Sequence, residues 1–312
     1  MANPVFFRFM VLLAKLETSY GIDPTLTGAA DALLARDISI EPMKGQDVPR
    51  DLIQSYLSGQ ATIPAGVHTT IEFSTELAGS GVVGTAPAWG LLMRGCGCAE
   101  VIQANSSVTY SPVSEAIESL YIKFWLGDTL HALNGVRGDA TLTITAQGIP
   151  SIRWSFTGLW VAPAEVSRAN PNLSAFKKPL LASAANTPIF TIDAVPLVLR
   201  NLSLKLGNKV EPRLLIGREA ILITDRAEAL DVTVEHVPLT TFNPDALAVA
   251  QTRVPALIVH GVEAGSTITV AAPACQIKRP GGYQNNQGVA ERSLGLSPLP
   301  DSGNDQFSLA LT

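Results

Sequence analysis

Val67-His68-Thr69-Thr70-Ile71-Glu72-Phe73-Ser74-Thr75-Glu76-Leu77 alternates between a face of Val, Thr, Ile, Phe and Leu and a face of His, Thr, Glu and Ser. Successive side chains of an extended backbone point to opposite faces, so a period of two reads as a strand buried on one side. The pattern returns in the second half as Leu230-Asp231-Val232-Thr233-Val234-Glu235. Its surroundings return as well. Ile38-Ser39-Ile40 followed by Val48-Pro49-Arg50-Asp51-Leu52-Ile53 is answered by Leu202-Ser203-Leu204 followed by Val210-Glu211-Pro212-Arg213-Leu214-Leu215-Ile216. Arg153-Trp154-Ser155-Phe156-Thr157-Gly158-Leu159 is answered more weakly by Glu291-Arg292-Ser293-Leu294-Gly295-Leu296. A chain written twice points to architecture, because repeated units stack or ring up to bury what one unit leaves open.

Further β-rich runs are Leu120 to Leu126, Ala140 to Thr145, Ala220 to Ile223, Ala256 to Val259 and Thr267 to Val270, several of them closed by turn residues. Helical pattern is confined to Ala86 to Arg94 and Asn243 to Ala250, each with a proline where a first turn tolerates one. The expected fold is mainly β: two tandem antiparallel β-sandwich or half-barrel units, each with a short flanking helix. Residues 1–35 read as an N-terminal arm or helix, 36–163 as the first unit, 164–186 as a Pro-, Asn-, Ser- and Ala-bearing linker, and 187–312 as the second unit. Met43 to Gly66 and Gly207 to Ala229 are too long for ordinary turns, and both carry Pro-Arg beside apolar residues. We read them as ordered arms that touch a neighbour, with Val48, Pro49, Arg50, Asp51, Leu52 and Ile53 in one and Pro212, Arg213, Leu214, Leu215 and Ile216 in the other as the contact residues.

The 312 residues are 46% hydrophobic and 16% charged, enough for sizeable cores, and the formal net charge of −5 argues against a protein that grips phosphates. The same acidity suits a surface past which DNA slides. The opening apolar run Val5 to Leu13 is interrupted by Arg8 and too short for a bilayer, so it reads as an amphipathic helix or arm without membrane insertion. Cys96, Cys98 and Cys275 are an odd set with no disulfide framework, consistent with folding in a reducing cytoplasm.

Chemistry-bearing patterns are sparse. Gly79-Ser80-Gly81-Val82-Val83-Gly84 matches GxGxxG, but the helix after it is short and no series of βα units follows, so it reads as a flexible turn. Cys96-Gly97-Cys98 lacks further ligands for a metal and reads as two small semi-buried thiols. His68, His131, His236 and His260 are scattered and read as half-exposed strand residues. With no GxSxG elbow or Walker loop, neither an enzyme nor a cofactor is expected.

Leu16-Glu17-Thr18-Ser19-Tyr20-Gly21-Ile22-Asp23-Pro24, then Gly79-Ser80-Gly81, Ala86-Pro87-Ala88-Trp89-Gly90-Leu91-Leu92-Met93-Arg94-Gly95-Cys96-Gly97, Phe156-Thr157-Gly158-Leu159 and Gly303-Asn304-Asp305 together resemble the tail tube (major tail) proteins of long-tailed bacteriophages. The resemblance covers nearly the whole chain and implies β-sandwich or barrel units closed into rings, whose inner sheets form a β-lined channel and whose stacking makes a genome-conducting tube. Most of that family supplies one unit per chain to a six-membered ring. Two units per chain would make the same ring from three chains, with a hexamer as the alternative. The resemblance also implies tape measure, tail terminator and distal tail proteins as partners, double-stranded DNA only in passage, and a virion location after assembly in the host cytoplasm. Glu72, Glu76 and Asp231 are then candidate lumen acids, since they alternate with the apolar faces of the matched strands. The competing reading is a tandem β-sandwich binding module at a virion or cell surface. Trp89, Trp125, Trp154 and Trp160 lie in or beside the helix and strands, where packing in a core is the expected use, rather than on binding loops.

Overall fold

The computed structural model describes residues 4–312. The first half runs β1 (Met10–Leu16), β2 (Arg36–Pro49), β3 (Thr62–Glu76), α1 (Gly90–Gly95), β4 (Cys98–Gln103), β5 (Ser107–Pro112), β6 (Leu120–Leu126), β7 (Thr129–Thr145) and β8 (Ser151–Trp160). The connecting segment carries β9 (Ala164–Glu165). The second half runs β10 (Ile189–Ile192), β11 (Val195–Pro196), β12 (Leu199–Lys205), β13 (Asn208–Leu215), β14 (Arg218–Arg226), β15 (Ala229–Glu235), α2 (Pro244–Ala250), β16 (Arg253–His260), β17 (Ile268–Ile277), β18 (Tyr283–Asn286), β19 (Val289–Pro298) and β20 (Ser308–Leu311). Strands take 51% of the chain and helix 4%, so the mainly β, antiparallel reading holds and the two helices are accessories.

Both halves share one neighbour order. In the first, strands pair as β1–β6–β7–β8–β3–β2. In the second, they pair as β10–β16–β17–β19–β15–β12. The ladders slip at matching places, between Leu120 and Ile122 in β6 and between Val254 and Ala256 in β16. The means differ. β7 bends through Gly135, whose φ of +57° favours glycine and whose Cβ would strike the Tyr20 ring at 2.5 Å. In the second half, Pro255 and Pro273 stand at the slip, where a bulge relieves proline of its ladder bond. The β4–β5 hairpin is extra to the first half and reaches β20 of the second.

One reading of the N-terminus needs correction. Met10–Leu16, expected within an amphipathic helix or arm, is a strand in full register with β6. Leu12 and Ala14 enter the main core, and Leu13 enters a second cluster with Ala32 and Trp125. A strand covered on both faces carries a continuous apolar run with no period of two to betray it. The first three residues of the expected arm lie outside the described residues.

The helices start where local chemistry permits. Asn243 Oδ1 accepts from the Ala246 N–H at 3.0 Å and Pro244 fills the first turn of α2. Pro87 instead sits in the turn before α1, its carbonyl accepting from Gly90 N–H at 2.8 Å. Trp89, Trp125 and Trp154 are buried as expected, whereas Trp160, at the end of β8, is 38% exposed. The main core is continuous through both halves, from Leu12 and Phe73 to Leu294 and Leu309.

Candidate assembly surfaces

Eight strands form one uninterrupted run through both halves: β2, β3, β8, β7, β12, β15, β19 and β18. The halves join in its middle, where the end of β7 ladders with β12, Thr143 opposite Ser203 and Leu142 opposite Leu204. One face of the run carries Phe73, Trp154, Ala140, Leu204 and Leu294 into the core. The opposite face is made largely of small polar groups, among them Thr70, Ser155, Thr141, Thr143, Ser203 and Thr233. Alternation therefore produces a sheet of hydroxyls backed by a hydrocarbon core.

Charged residues are interspersed on this face, with Glu41, Glu72, Glu76, Asp139, Asp231 and Glu235 against Arg153 and Lys205, and some are offset. Glu72 accepts from Arg153, its diagonal neighbour on β8, through Nη2. Asp231 stands exposed between Ser203 and Gly295 on the flanking strands. Glu76 closes β3 opposite Ser151 and is half-buried. The structure thus puts the three acids on β3 and β15 of the run, with one of them neutralised locally.

The two arms are hairpins. β2 and β3 continue past the body as a ribbon that keeps pairing to Pro49 opposite Thr62, so Val48 and Pro49 end a strand and Arg50, Asp51, Leu52 and Ile53 open its loop. Ile53 and Leu57 are each 104% exposed, as open as in an extended peptide. β13 and β14 form the second arm, with Pro212, Arg213, Leu214 and Leu215 on β13 and Ile216, also fully exposed, in its turn.

The base of the second arm is locked onto the first half. Arg137 on β7 donates to the carbonyls of Ile221 at 2.9 Å and Ile117 at 2.6 Å. Tyr20 accepts from Ile221 N–H at 2.7 Å and lies under the Arg137 guanidinium, 5.5 Å from ring centre to Cζ. Asn208 N–H donates to Asp139 at 3.0 Å, and the Asn208 and Arg226 side chains reach the Cys96 and Gly97 carbonyls. Ile221 and Ala220 are buried beneath these contacts. Sequence reading missed Tyr20, Arg137, Asn208 and Arg226 because a strand-borne arginine or a loop asparagine carries no periodic signal. Their partners are mostly backbone groups brought near by folding.

The chemistry-bearing motifs resolve into packing. Gly79 lies so close to Gly265 that a Cβ would come within 2.2 Å of its carbonyl oxygen, and Gly81 N–H donates to that oxygen at 3.0 Å. The glycine stretch is a turn that lets two backbones touch. Cys96 and Cys98 sit in the core, where burial pushes the Cys98 thiol up to about 12 and Cys96 well above the usual range. Asp305 caps the turn at Asp301 and Ser302, and the Ser302 hydroxyl and N–H hold its carboxyl down to about 2. Asn304 beside it accepts from Ser114 at 2.7 Å, pinning this C-terminal turn to the first half.

His260 departs from the half-exposed reading. It is buried under the linker, with Nδ1 2.9 Å from Thr187 Oγ1, and burial pulls its pKa below the ordinary value against a smaller opposing pull from the Leu180 carbonyl. The folded state then binds fewer protons than the unfolded state, so this contribution to stability is complete above about pH 6.5 and lost as pH falls through the lower folded value. His131, similarly lowered by burial, adds to the same slope. Urea midpoints measured at pH 7.5 and 5.5 should fall for the wild-type chain and fall less for His260→Asn. Equal slopes for the two proteins would remove His260 from this role.

Antiparallel strands in one run through two like-ordered halves, with a hydroxyl face and apolar hairpin tips, define a mainly β protein with open surfaces suited to assembly. The family model for the phage tail tube protein matches residues 10–291, and the chain belongs to that family. It is therefore a structural protein of the virion tail that stacks with its own copies. Among curated proteins, none matches the chain significantly.

Proposed function

We propose that the halves are two copies of one tube unit, with β1 part of the first, and that three chains close a pseudo-sixfold ring whose stacking makes the channel for genome delivery. The observation that carries this reading is the eight-strand run, which crosses from one half to the other by a backbone ladder as a ring wall requires. Its hydroxyl face suits a channel wall. DNA must slide past without fixed phosphate contacts, and small neutral groups over a rigid sheet offer few. In this reading the apolar arm tips meet the next ring, and the tape measure, terminator and distal tail proteins meet the tube's interior and ends. Rings assemble in the host cytoplasm and end in the virion, with no cofactor taking part.

Negative-stain microscopy of the purified chain tests the reading. Rings or hollow tubes are expected, and a mass of three chains per ring separates the trimer from a hexamer. Dispersed monomers at high concentration would count against the tube.

The lumen assignment has its own test. Glu72→Lys together with Asp231→Lys should leave tube assembly intact while slowing genome ejection, because fixed positive charge retains phosphates. The delay should shrink as salt rises, since the Debye length falls from about 10 Å at 0.1 M to about 3 Å at 1 M. An unchanged ejection rate would take Glu72 and Asp231 off the channel wall.

A further inference from the structure

Strand β12 is paired on both sides, with β15 along one edge and the end of β7 along the other. Its counterpart in the first half, β2, is paired only with β3, so its second edge from Arg36 to Glu41 is open among the described residues. The counterpart of the end of β7 is β18. β17 leaves its ladder at Ile277, passes Pro280-Gly281-Gly282 and resumes as Tyr283–Asn286 along β19, much as β7 continues along β8. β18 also pairs on one side only. The two open edges are the two ends of the eight-strand run.

An open edge offers a row of unused N–H and C=O groups to any passing strand. Here each open edge is the counterpart of one member of a junction that is closed inside the chain. The run alternates direction through eight strands, so the β18 end of one copy and the β2 end of the next meet antiparallel, as β7 and β12 do. We propose, resting on the ring reading above, that β2 of one chain pairs with β18 of a second copy in the register of the β7–β12 junction. Aligning the halves on their matching ladder slips sets Leu202-Ser203-Leu204 on Ile38-Ser39-Ile40 and Leu142-Thr143 on Tyr283-Gln284. Ser39 then lies opposite Gln284 of the neighbouring copy, and Ile40 lies opposite its Tyr283.

Two further observations agree. Tyr283 is 59% exposed in the single chain, and the pairing sets it against Ile40, which already packs on the core. Each half also has a cavity between its first strand and its edge strand. The one beside β10 and β12, of about 400 Å³, is walled on one side by Ile144, Ala146 and Gln147 from the β7 end. The one beside β1 and β2, of about 440 Å³, has no such wall and is lined by Met10, Leu12, Arg36 and Ile38 among others. The Asn286-Gln287-Gly288 turn of the neighbouring copy supplies the missing wall. The contact is head-to-tail, so it closes a ring when the rotation per chain divides a full turn.

The test is disulfide trapping in the full chain. Ser39→Cys with Gln284→Cys places two exposed thiols across the proposed ladder, while Cys96, Cys98 and Cys275 are buried. Thr143→Cys with Ser203→Cys is the internal control, because those residues already face each other. On oxidation the control should close within one chain. The Ser39/Gln284 pair should give a covalent ladder ending at three chains, absent from either single variant. Ser39→Cys with Asn286→Cys, two residues out of register, should trap weakly. Rings or tubes visible in the same sample without a Ser39/Gln284 cross-link, while the control closes, would overturn the edge assignment and leave the tube standing. Stronger trapping by the out-of-register pair would overturn the register. Absence of any ring from the wild-type chain would overturn the tube reading and this pairing together.

Discussion

Replacing residues 50–61 with Asn-Gly is expected to leave a folded chain that still forms single rings and to abolish long tubes. Pro49 pairs with Thr62, so a two-residue type I′ turn can close the ribbon at that point. The replaced loop holds Arg50, Asp51, Leu52 and Ile53 and makes little contact with the body, so the isolated chain should keep its stability within about 0.5 kcal/mol. What it loses is apolar surface that has nothing to cover it in one chain. Ile53 and Leu57 are fully exposed, and burying such side chains against a partner contributes about 1.5–3 kcal/mol each. Removing both from every chain takes away roughly 3–6 kcal/mol per chain of stacking contact, and the loss multiplies around a ring. Urea unfolding, together with tube lengths in micrographs, checks both halves of the expectation. Tubes of normal length from the shortened chain would show that the tip does not join rings.

Trp154→Ala should be the most damaging single core substitution. Trp154 is fully buried on β8, stacks on Phe156 at 6.1 Å and an interplanar angle of 13°, and lies 6.5 Å from Trp89. Its indole N–H donates to Thr75 Oγ1 at 2.9 Å, so truncation leaves a cavity and an unpartnered buried hydroxyl. Phe or Trp to Ala in a core costs about 3–5 kcal/mol, a large share of the roughly 5–15 kcal/mol that holds a typical native protein. The effect should reach assembly, because Trp154 lies behind the same strand whose outer face carries Arg153 and Ser155. A urea-derived loss below about 1 kcal/mol would mean that the core relaxes around the gap.

The parts of the fold that were legible are those where one face of a strand is wet. β3 and β15 announce themselves by alternation, and α2 by Asn243-Pro244 at its start. β1 did not, because its two faces enter two different apolar clusters and the period of two vanishes. The arms were legible as long segments bearing Pro-Arg, but not as hairpins, since β13–β14 pairs residues whose order shows no alternation. Their anchoring was hidden for another reason. Arg137, Tyr20, Asn208 and Arg226 meet carbonyls and side chains far along the chain, and a hydrogen bond to a distant backbone group leaves no mark on local sequence.

By itself the amino-acid order determined that the chain is mainly β, and it placed segments in the second half that resemble segments in the first. Those properties follow from side-chain periodicity and residue order, which are local. Only the tertiary structure decided that β7 and β12 join the halves into one sheet, that β2 and β18 are left as its open ends, and that Glu72 is offset by Arg153. Strand pairing brings together residues tens to hundreds of positions apart. The register that sets which groups meet comes from packing the whole core, not from any one segment.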